Sequence, residues 1–254
     1  YLGIWLEHYT QPGNTILGNI VGANRSGTEA IPNYKGILIT SASSTTVGGS
    51  AAGAGNLVRG NTDIGVKLEL TSTLNSLVGN LIGTDVTGQN SLPNGGKGIL
   101  SGFGASSNMI GGSSVGSGNV ISGNGESGIF IQDTESVGNR VLGNRIGTNR
   151  SGTTALGNGW DGVTIIESRD TTIGGPHGLG VWNCSGSCNL ISGNATSGIG
   201  IQGVRASALK HEQTVEVLDQ NTQVIGNFIG TNLAGSIGLS NQTGIDLSLG
   251  ASNN

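Results

Sequence analysis

The chain has 254 residues, of which only 10% are charged, and a formal net charge of −4; this balance excludes a basic face for nucleic acid. Forty-nine glycines beside four prolines, without a Gly-X-Y period, exclude collagen and Pro-rich disorder. No apolar run is long enough to span a bilayer and no signal-peptide layout opens the chain, so no membrane span is expected.

From the first residues onward a phrase of glycine, apolar, any, apolar returns. It reads Gly3-Ile4-Trp5-Leu6, Gly36-Ile37-Leu38-Ile39, Gly65-Val66-Lys67-Leu68, Gly128-Ile129-Phe130-Ile131, Gly162-Val163-Thr164-Ile165, Gly198-Ile199-Gly200-Ile201 and Gly244-Ile245-Asp246-Leu247, with a degenerate copy at Gly98-Ile99-Leu100-Ser101. The spacing alternates between longer and shorter steps, so the repeating unit reads as a pair. A second phrase, ending in Gly-Asn-x-Ile-Gly-Thr, occurs once per pair, as at Asn139 to Thr148 and Asn221 to Thr231. The other half of the pair carries Gly-Asn-apolar-apolar-x-Gly-Asn, as at Gly55 to Asn61 and Gly118 to Asn124.

Each phrase alternates branched apolar residues with small or polar ones and closes on Gly, Asn or Ser, the pattern of a short strand bounded by turns. Strands this short bury nothing alone. Coiled into rungs and stacked at roughly 4.8 Å, they enclose a continuous interior. The sequence therefore predicts an all-β fold, a right-handed single-stranded parallel β-helix (solenoid) of about eight rungs and on the order of 40 Å long. The inward columns are Ile37, Ile39, Val66, Leu68, Ile99, Ile129, Ile131, Val163, Ile165, Ile199 and Ile201. Glycine is expected at corners with positive φ, and the Gly-Asn asparagines Asn19, Asn80, Asn144, Asn227, Asn61, Asn124 and Asn194 are expected to stack rung over rung. One domain, 1–254, is expected, uncapped at both ends and with loop insertions at 176–188 and 204–220. The latter insertion lacks glycine and is dense in charge.

The two cysteines, Cys184 and Cys188, flank Ser-Gly-Ser in the first insertion. They predict a loop-pinning disulfide and an oxidising, extracellular compartment rather than a zinc site. No calcium-binding repeat is present, and no cofactor, metal site or catalytic residue is assigned.

The phrases at 118–124, 143–148, 155–165 and 171–175 resemble the right-handed parallel β-helix repeats of large bacterial secreted and surface proteins in the pectin-lyase-like superfamily. The resemblance covers nearly the whole chain and implies the fold. That scaffold carries polysaccharide lyases, glycoside hydrolases, epimerases, adhesins and structural arrays alike, so activity has to be argued from a site.

The turn before the Gly-apolar phrase carries Lys35, Asp63, Lys97, Glu126 and Asp161 on successive rungs. Two readings are open. Paired carboxylates suit acid–base work on a sugar polymer, with Lys35 or Lys97 against a uronate and Trp160 or Tyr34 stacking on a ring. Alternatively the alternating signs are a ladder of cross-strand pairs, which is the reading preferred here. Arg140, Arg145, Arg150 and Arg169 read as scattered over different corners.

The third position of the phrase carries Trp5, Leu38, Leu100 and Phe130 among the first five rungs, which predicts a contact strip facing outward, covered by the 204–220 insertion or by another molecule. With open ends, this strip predicts a non-catalytic extracellular structural or surface protein that self-associates head to tail or laterally, its partners being copies of itself. The alternative is a polysaccharide lyase or glycoside hydrolase acting on an extracellular polysaccharide. A carbohydrate- or ice-binding face built on Thr84, Thr148 and Thr231 is ranked third.

Overall fold

The computed structural model describes residues 1–7, 13–176, 184–203 and 220–254. Among these there are strands and turns but no helix, and the strands follow one another in coils of three. The first coil is β1 (Leu2–Leu6), β2 (Thr15–Ile16) and β3 (Ile20–Val21); the second is β4 (Lys35–Thr40), β5 (Thr46–Gly48) and β6 (Leu57–Val58). Then come β7 (Val66–Glu69), β8 (Ser76–Val78) and β9 (Leu81–Ile82), and β10 (Ile99–Ser101), β11 (Met109–Gly111) and β12 (Val120–Ile121). The fifth and sixth coils are β13 (Ile129–Gln132), β14 (Arg140–Leu142), β15 (Arg145–Ile146) and β16 (Val163–Ile166), β17 (Thr172–Gly174), β18 (Leu190–Ile191). The seventh is β19 (Ser197–Gln202), β20 (Gln223–Ile225) and β21 (Phe228–Ile229), and β22 (Thr243–Ser248) opens an eighth.

Each third strand stacks on the one before it, all in parallel. The result is an eight-stranded sheet, called A, running from β1 to β22, and two seven-stranded sheets, B (β2 to β20) and C (β3 to β21). The Gly-apolar phrase opens every strand of sheet A, so each copy starts one rung. Sequential strands that cannot pair as hairpins, because each points the same way round the coil, leave only this parallel stacking.

The interior follows from period-2 alternation. Every inward residue expected from the sequence is fully buried, and sheets B and C add the columns Val47, Leu77, Ile110, Val141, Ile173 and Val58, Ile82, Ile121, Ile146, Ile191. Each such side chain stabilises by roughly 1.5–3 kcal/mol. Where the phrase degenerates, Ser101 takes the inward position between Leu68 and Ile131 and is buried like its neighbours.

The asparagines form two long ladders, each with one residue per rung, and a shorter one of Asn75, Asn108 and Asn139 between sheets A and B. Between sheets B and C run Asn19, Asn56, Asn80, Asn119, Asn144, Asn189 and Asn227, linked side chain to side chain over 2.8–3.0 Å. Between sheets C and A run Asn33, Asn61, Asn94, Asn124, Asn158, Asn194 and Asn241 over 2.8–3.1 Å. The Gly-Asn asparagines thus stack rung over rung, Asn19, Asn80, Asn144 and Asn227 in the first ladder and Asn61, Asn124 and Asn194 in the second. The paired period has another origin: antiparallel bridges close hairpin loops after every second strand of sheet C, at Ala23 and Ala30, Thr84 and Ser91, Thr148 and Ala155, and Thr231 and Gly238.

Glycine works differently from the expectation at the phrase itself. At Gly98 a Cβ would come within 2.6 Å of Gly128 O and 2.8 Å of both Asn124 Nδ2 and Ile121 Cγ2, so close approach and not positive φ excludes a side chain. Meanwhile the corner from sheet A to sheet B is turned at positive φ by Ser41, Leu70, Phe103, Asp133 and Glu167, none of them glycine. The local cost of these turns is offset by the cooperative stacking on either side.

Candidate functional site on the outer face of sheet A

The outer face of sheet A is built by residues that the alternation turns away from the core. In register across it lie Trp5, Leu38, Lys67, Leu100, Phe130 and Thr164. The four apolar members do not make a continuous exposed strip. Leu38 and Leu100 are buried, because a side chain in a column at strand spacing is covered by its neighbours above and below, here with Lys67 between them. Trp5 is about half exposed and Phe130 partly so. The segment 204–219, expected as a cover, lies outside the described residues.

Three lysines on consecutive rungs reach over this face, and each combines a ring with a carboxylate. Lys35 Nζ lies 4.2 Å from the Tyr34 ring centre and 3.8 Å from Asp63. Lys67 Nζ lies 5.0 Å from the Phe103 ring and pairs with Glu69. Lys97 Nζ lies 4.9 Å from Phe130 and 5.7 Å from Trp160, and pairs with Glu126. A cation over an aromatic face gains about 0.5–1 kcal/mol at an exposed site, and the ion pairs add less than about 1 kcal/mol each. Together they order the surface. Tyr34 and Trp160 remain half exposed, with their rings available above the ordered charges.

The turn residues singled out from the sequence are brought to this one edge, but they pair in twos rather than as a continuous ladder: Lys35 with Asp63, Lys97 with Glu126. Asp161 has no lysine. Its carboxylate accepts from Thr164 Oγ1 at 2.9 Å, from Ser197 N at 2.9 Å and from Thr196 Oγ1, and the Thr164 hydroxyl is joined to Ser127 at 2.8 Å. Gly200, the neighbour of Thr164 in register, leaves the room: a Cβ there would meet Asp161 Oδ2 at 2.7 Å.

Two components escaped the sequence reading. Lys67 with Glu69 and Phe103 repeats the Lys97 arrangement one rung earlier, yet the pairing of a strand residue with a corner ring on the next coil carries no local signal. Asp133 looks like a surface acid but accepts from the backbone nitrogens of Phe103, Gly104, Glu135 and Ser136. It holds the corner that presents Phe103.

The other candidates fall elsewhere. Cys184 and Cys188 form a disulfide with Cα atoms 5.1 Å apart, in the sheet B to sheet C connection. Thr84 and Thr148 are buried and, like Thr231, turn their hydroxyls onto the carbonyls of Asp85, Asn149 and Asn232, so they do not build a flat threonine face. Arg145 and Arg150, read as scattered, stand beside one groove on sheet C.

No family model and no curated protein matches the sequence. Solved structures do. The chain is similar to a double mutant of the periplasmic alginate epimerase AlgG, with a TM-score of 0.53, 16% identity, and coverage of 98% of this chain and 47% of that one. It is similar to AlgG itself with a TM-score of 0.51 and 16% identity, covering 97% of this chain and 46% of that one. The chain thus spans about half the length of these neighbours. At that identity the likeness concerns the backbone, and with the three parallel sheets it establishes the architecture: the chain is a right-handed parallel β-helix of about eight rungs.

Proposed function

We propose that this β-helix docks and processes an extracellular polysaccharide on the outer face of sheet A, as a lyase or a related polysaccharide-modifying enzyme. The observation that carries the reading is the convergence at Lys97, where a cation, the Glu126 carboxylate and the half-exposed Trp160 indole meet. A pyranose ring has an apolar face that stacks on indole. Lys97 would draw the carboxylate of a uronate, which acidifies the neighbouring C–H; Glu126, released from its lysine, would accept that proton, the C–H electron pair would form a carbon–carbon double bond as the bond to the leaving sugar oxygen breaks, and the protonated Glu126 would hand its proton to that oxygen. The polysaccharide class is supported by the fold shared with a protein named as an alginate epimerase. A compartment outside the cytosol is supported by the Cys184–Cys188 disulfide.

A second reading, binding without chemistry, is favoured by Asp161, whose carboxylate is engaged by three donors and so holds structure rather than standing ready as a base. One assay separates the two. Acidic and neutral polysaccharides are incubated with the chain and followed for unsaturated products and new reducing ends, with Lys97→Ala, Glu126→Gln and Asp161→Ala in parallel. Product from an acidic polymer that Lys97→Ala and Glu126→Gln abolish supports the lyase; retention of a polymer without product leaves the binding reading; neither product nor retention refutes both.

A further inference from the structure

The outer face of sheet C is built unlike that of sheet A. Its outward column runs Ile20, Leu57, Leu81, Val120, Arg145 and Leu190 in register, an apolar floor interrupted by one cation. Glycine-rich turns between sheets B and C wall one side, and the hairpin loops that carry Val86 and Arg150 wall the other. Between the walls lie two adjoining hollows of about 440 and 240 Å³, and Arg145 lines both.

Arg145 is the anomaly. Its Nε is buried without a hydrogen-bond partner, 3.6 Å from where a Cβ on Gly152 would stand, and no carboxylate pairs with it or with Arg150 among the described residues. Burial first, and then the like charge of Arg150, hold its pKa below the usual arginine value. A chain that places a guanidinium in a groove beside a second one, with no acid to balance either, leaves a planar donor fork that only an oxyanion completes. The apolar floor on one side of it and glycine walls around it suit the C–H face of a sugar ring.

We propose that this groove is a second binding site, which takes a carboxylate-bearing sugar chain with its carboxylate on Arg145 and its rings along Leu57, Leu81 and Val120. The site lies on a different sheet from Lys97 and stands independently of whether sheet A binds or cuts sugar. It gives an acidic polymer a hold on the molecule away from the sheet A face.

The test is calorimetric titration of the full chain with tetragalacturonate and with cellotetraose, an uncharged probe of equal length. The uronate should bind saturably and cellotetraose at least tenfold more weakly. Introduced into the Trp160→Ala protein, so that sheet A does not contribute, Arg145→Met should weaken the uronate at least tenfold, and Val86→Glu, which puts a carboxylate on an exposed groove wall and leaves the core untouched, should weaken it several-fold. Trp160→Ala should leave this binding in place even if it abolishes sugar binding on sheet A. Absence of saturable uronate binding, equal binding of both probes, loss in Trp160→Ala, or no change when Arg145→Met and Val86→Glu are added to it would overturn the proposal.

Discussion

The side-chain amide of Asn80 donates to Oδ1 of Asn119 over 2.9 Å, and the backbone nitrogen of Asn80 donates to the same oxygen over 2.9 Å. Asn119 in turn donates to Leu77 O at 2.8 Å and to Asn144 Oδ1 at 2.9 Å. Every polar atom of the amide is used, although the residue is fully buried. The ladder is therefore a buried polar network with complete satisfaction, the condition under which such a network adds rigidity and specificity instead of cost.

Removing one member strands its neighbours. Asn119→Leu, similar in volume, should leave Leu77 O and the amide of Asn80 short of a partner and cost about 4 kcal/mol, at about 1–3 kcal/mol per stranded group. A guanidinium unfolding midpoint that moves by less than the equivalent of about 1 kcal/mol would contradict this.

The corners predict opposite effects for two glycine substitutions. Gly98→Ala presses a methyl onto the ladder and the next rung, where overpacking costs about 1–3 kcal/mol. Leu70→Gly at the sheet A to sheet B corner, where the leucine is half exposed with φ of 50°, relieves a left-handed conformation and should gain about 0.5–1 kcal/mol. Melting temperatures of the two variants should bracket the parent. Both falling below it would refute the assignment of strain to the corner.

Arg59 is fully buried, with Nη1 donating to Thr84 O at 2.8 Å and Nε and Nη2 unpartnered. Burial lowers its pKa, against the opposing charge of Asp85. Two rungs on, Ser122 fills the equivalent place and makes the equivalent bond to Thr148 O at 2.7 Å. There the hairpin loops stack directly, with Arg150 N on Gly88 O at 2.8 Å, whereas Arg59 lies against Gly27 of the first loop. Arg59→Ser should keep the bond, let the loops close and raise stability by about 1 kcal/mol, since a buried unpaired charge is removed. A clear fall in the unfolding midpoint would show that packing of the arginine stem outweighs its charge.

Asp85 gives the chain an acid-sensitive loop. Burial raises its pKa, but hydrogen bonds from Asn90 and Thr87 side chains and from the Gln89 and Asn90 backbone outweigh that and hold it at about 2. A carboxylate whose folded pKa lies below its unfolded value of 3.8 contributes stability that is complete above the unfolded pKa and is lost as pH falls toward about 2. Asp85→Asn, matching Asn24, Asn149 and Asn232 in the other hairpins, should flatten the stability profile over that window. An unchanged acid limb would assign the sensitivity to other groups.

The core was legible because period-2 alternation and a recurring glycine are local signals repeated eight times, and Ile37 or Ile129 needs no partner information to be placed. The asparagine ladders were half legible: Asn19 and Asn61 announce themselves in Gly-Asn phrases, but that they belong to different corners depends on where the coil turns. The site was less so. Lys97 and Glu126 stood on successive turns and could be paired on paper, while Lys67 with Phe103, Arg145 beside Arg150, and the burial of Leu38 and Leu100 all depend on how rungs stack and which loops rise beside them.

The proposed sugar-docking face of sheet A is centred on Lys97 and Trp160. It is tested by affinity electrophoresis of three proteins that all carry Arg145→Met, so that the sheet C groove does not contribute: this parent, and the parent with Trp160→Ala or Lys97→Ala added, through gels containing an acidic polysaccharide, a neutral one or none. The acidic polymer should retard the parent and should have at least a several-fold weaker effect on both variants, all three being equally stable to heat. Equal mobility of the parent in all gels, or equal retardation of all three proteins, would contradict it.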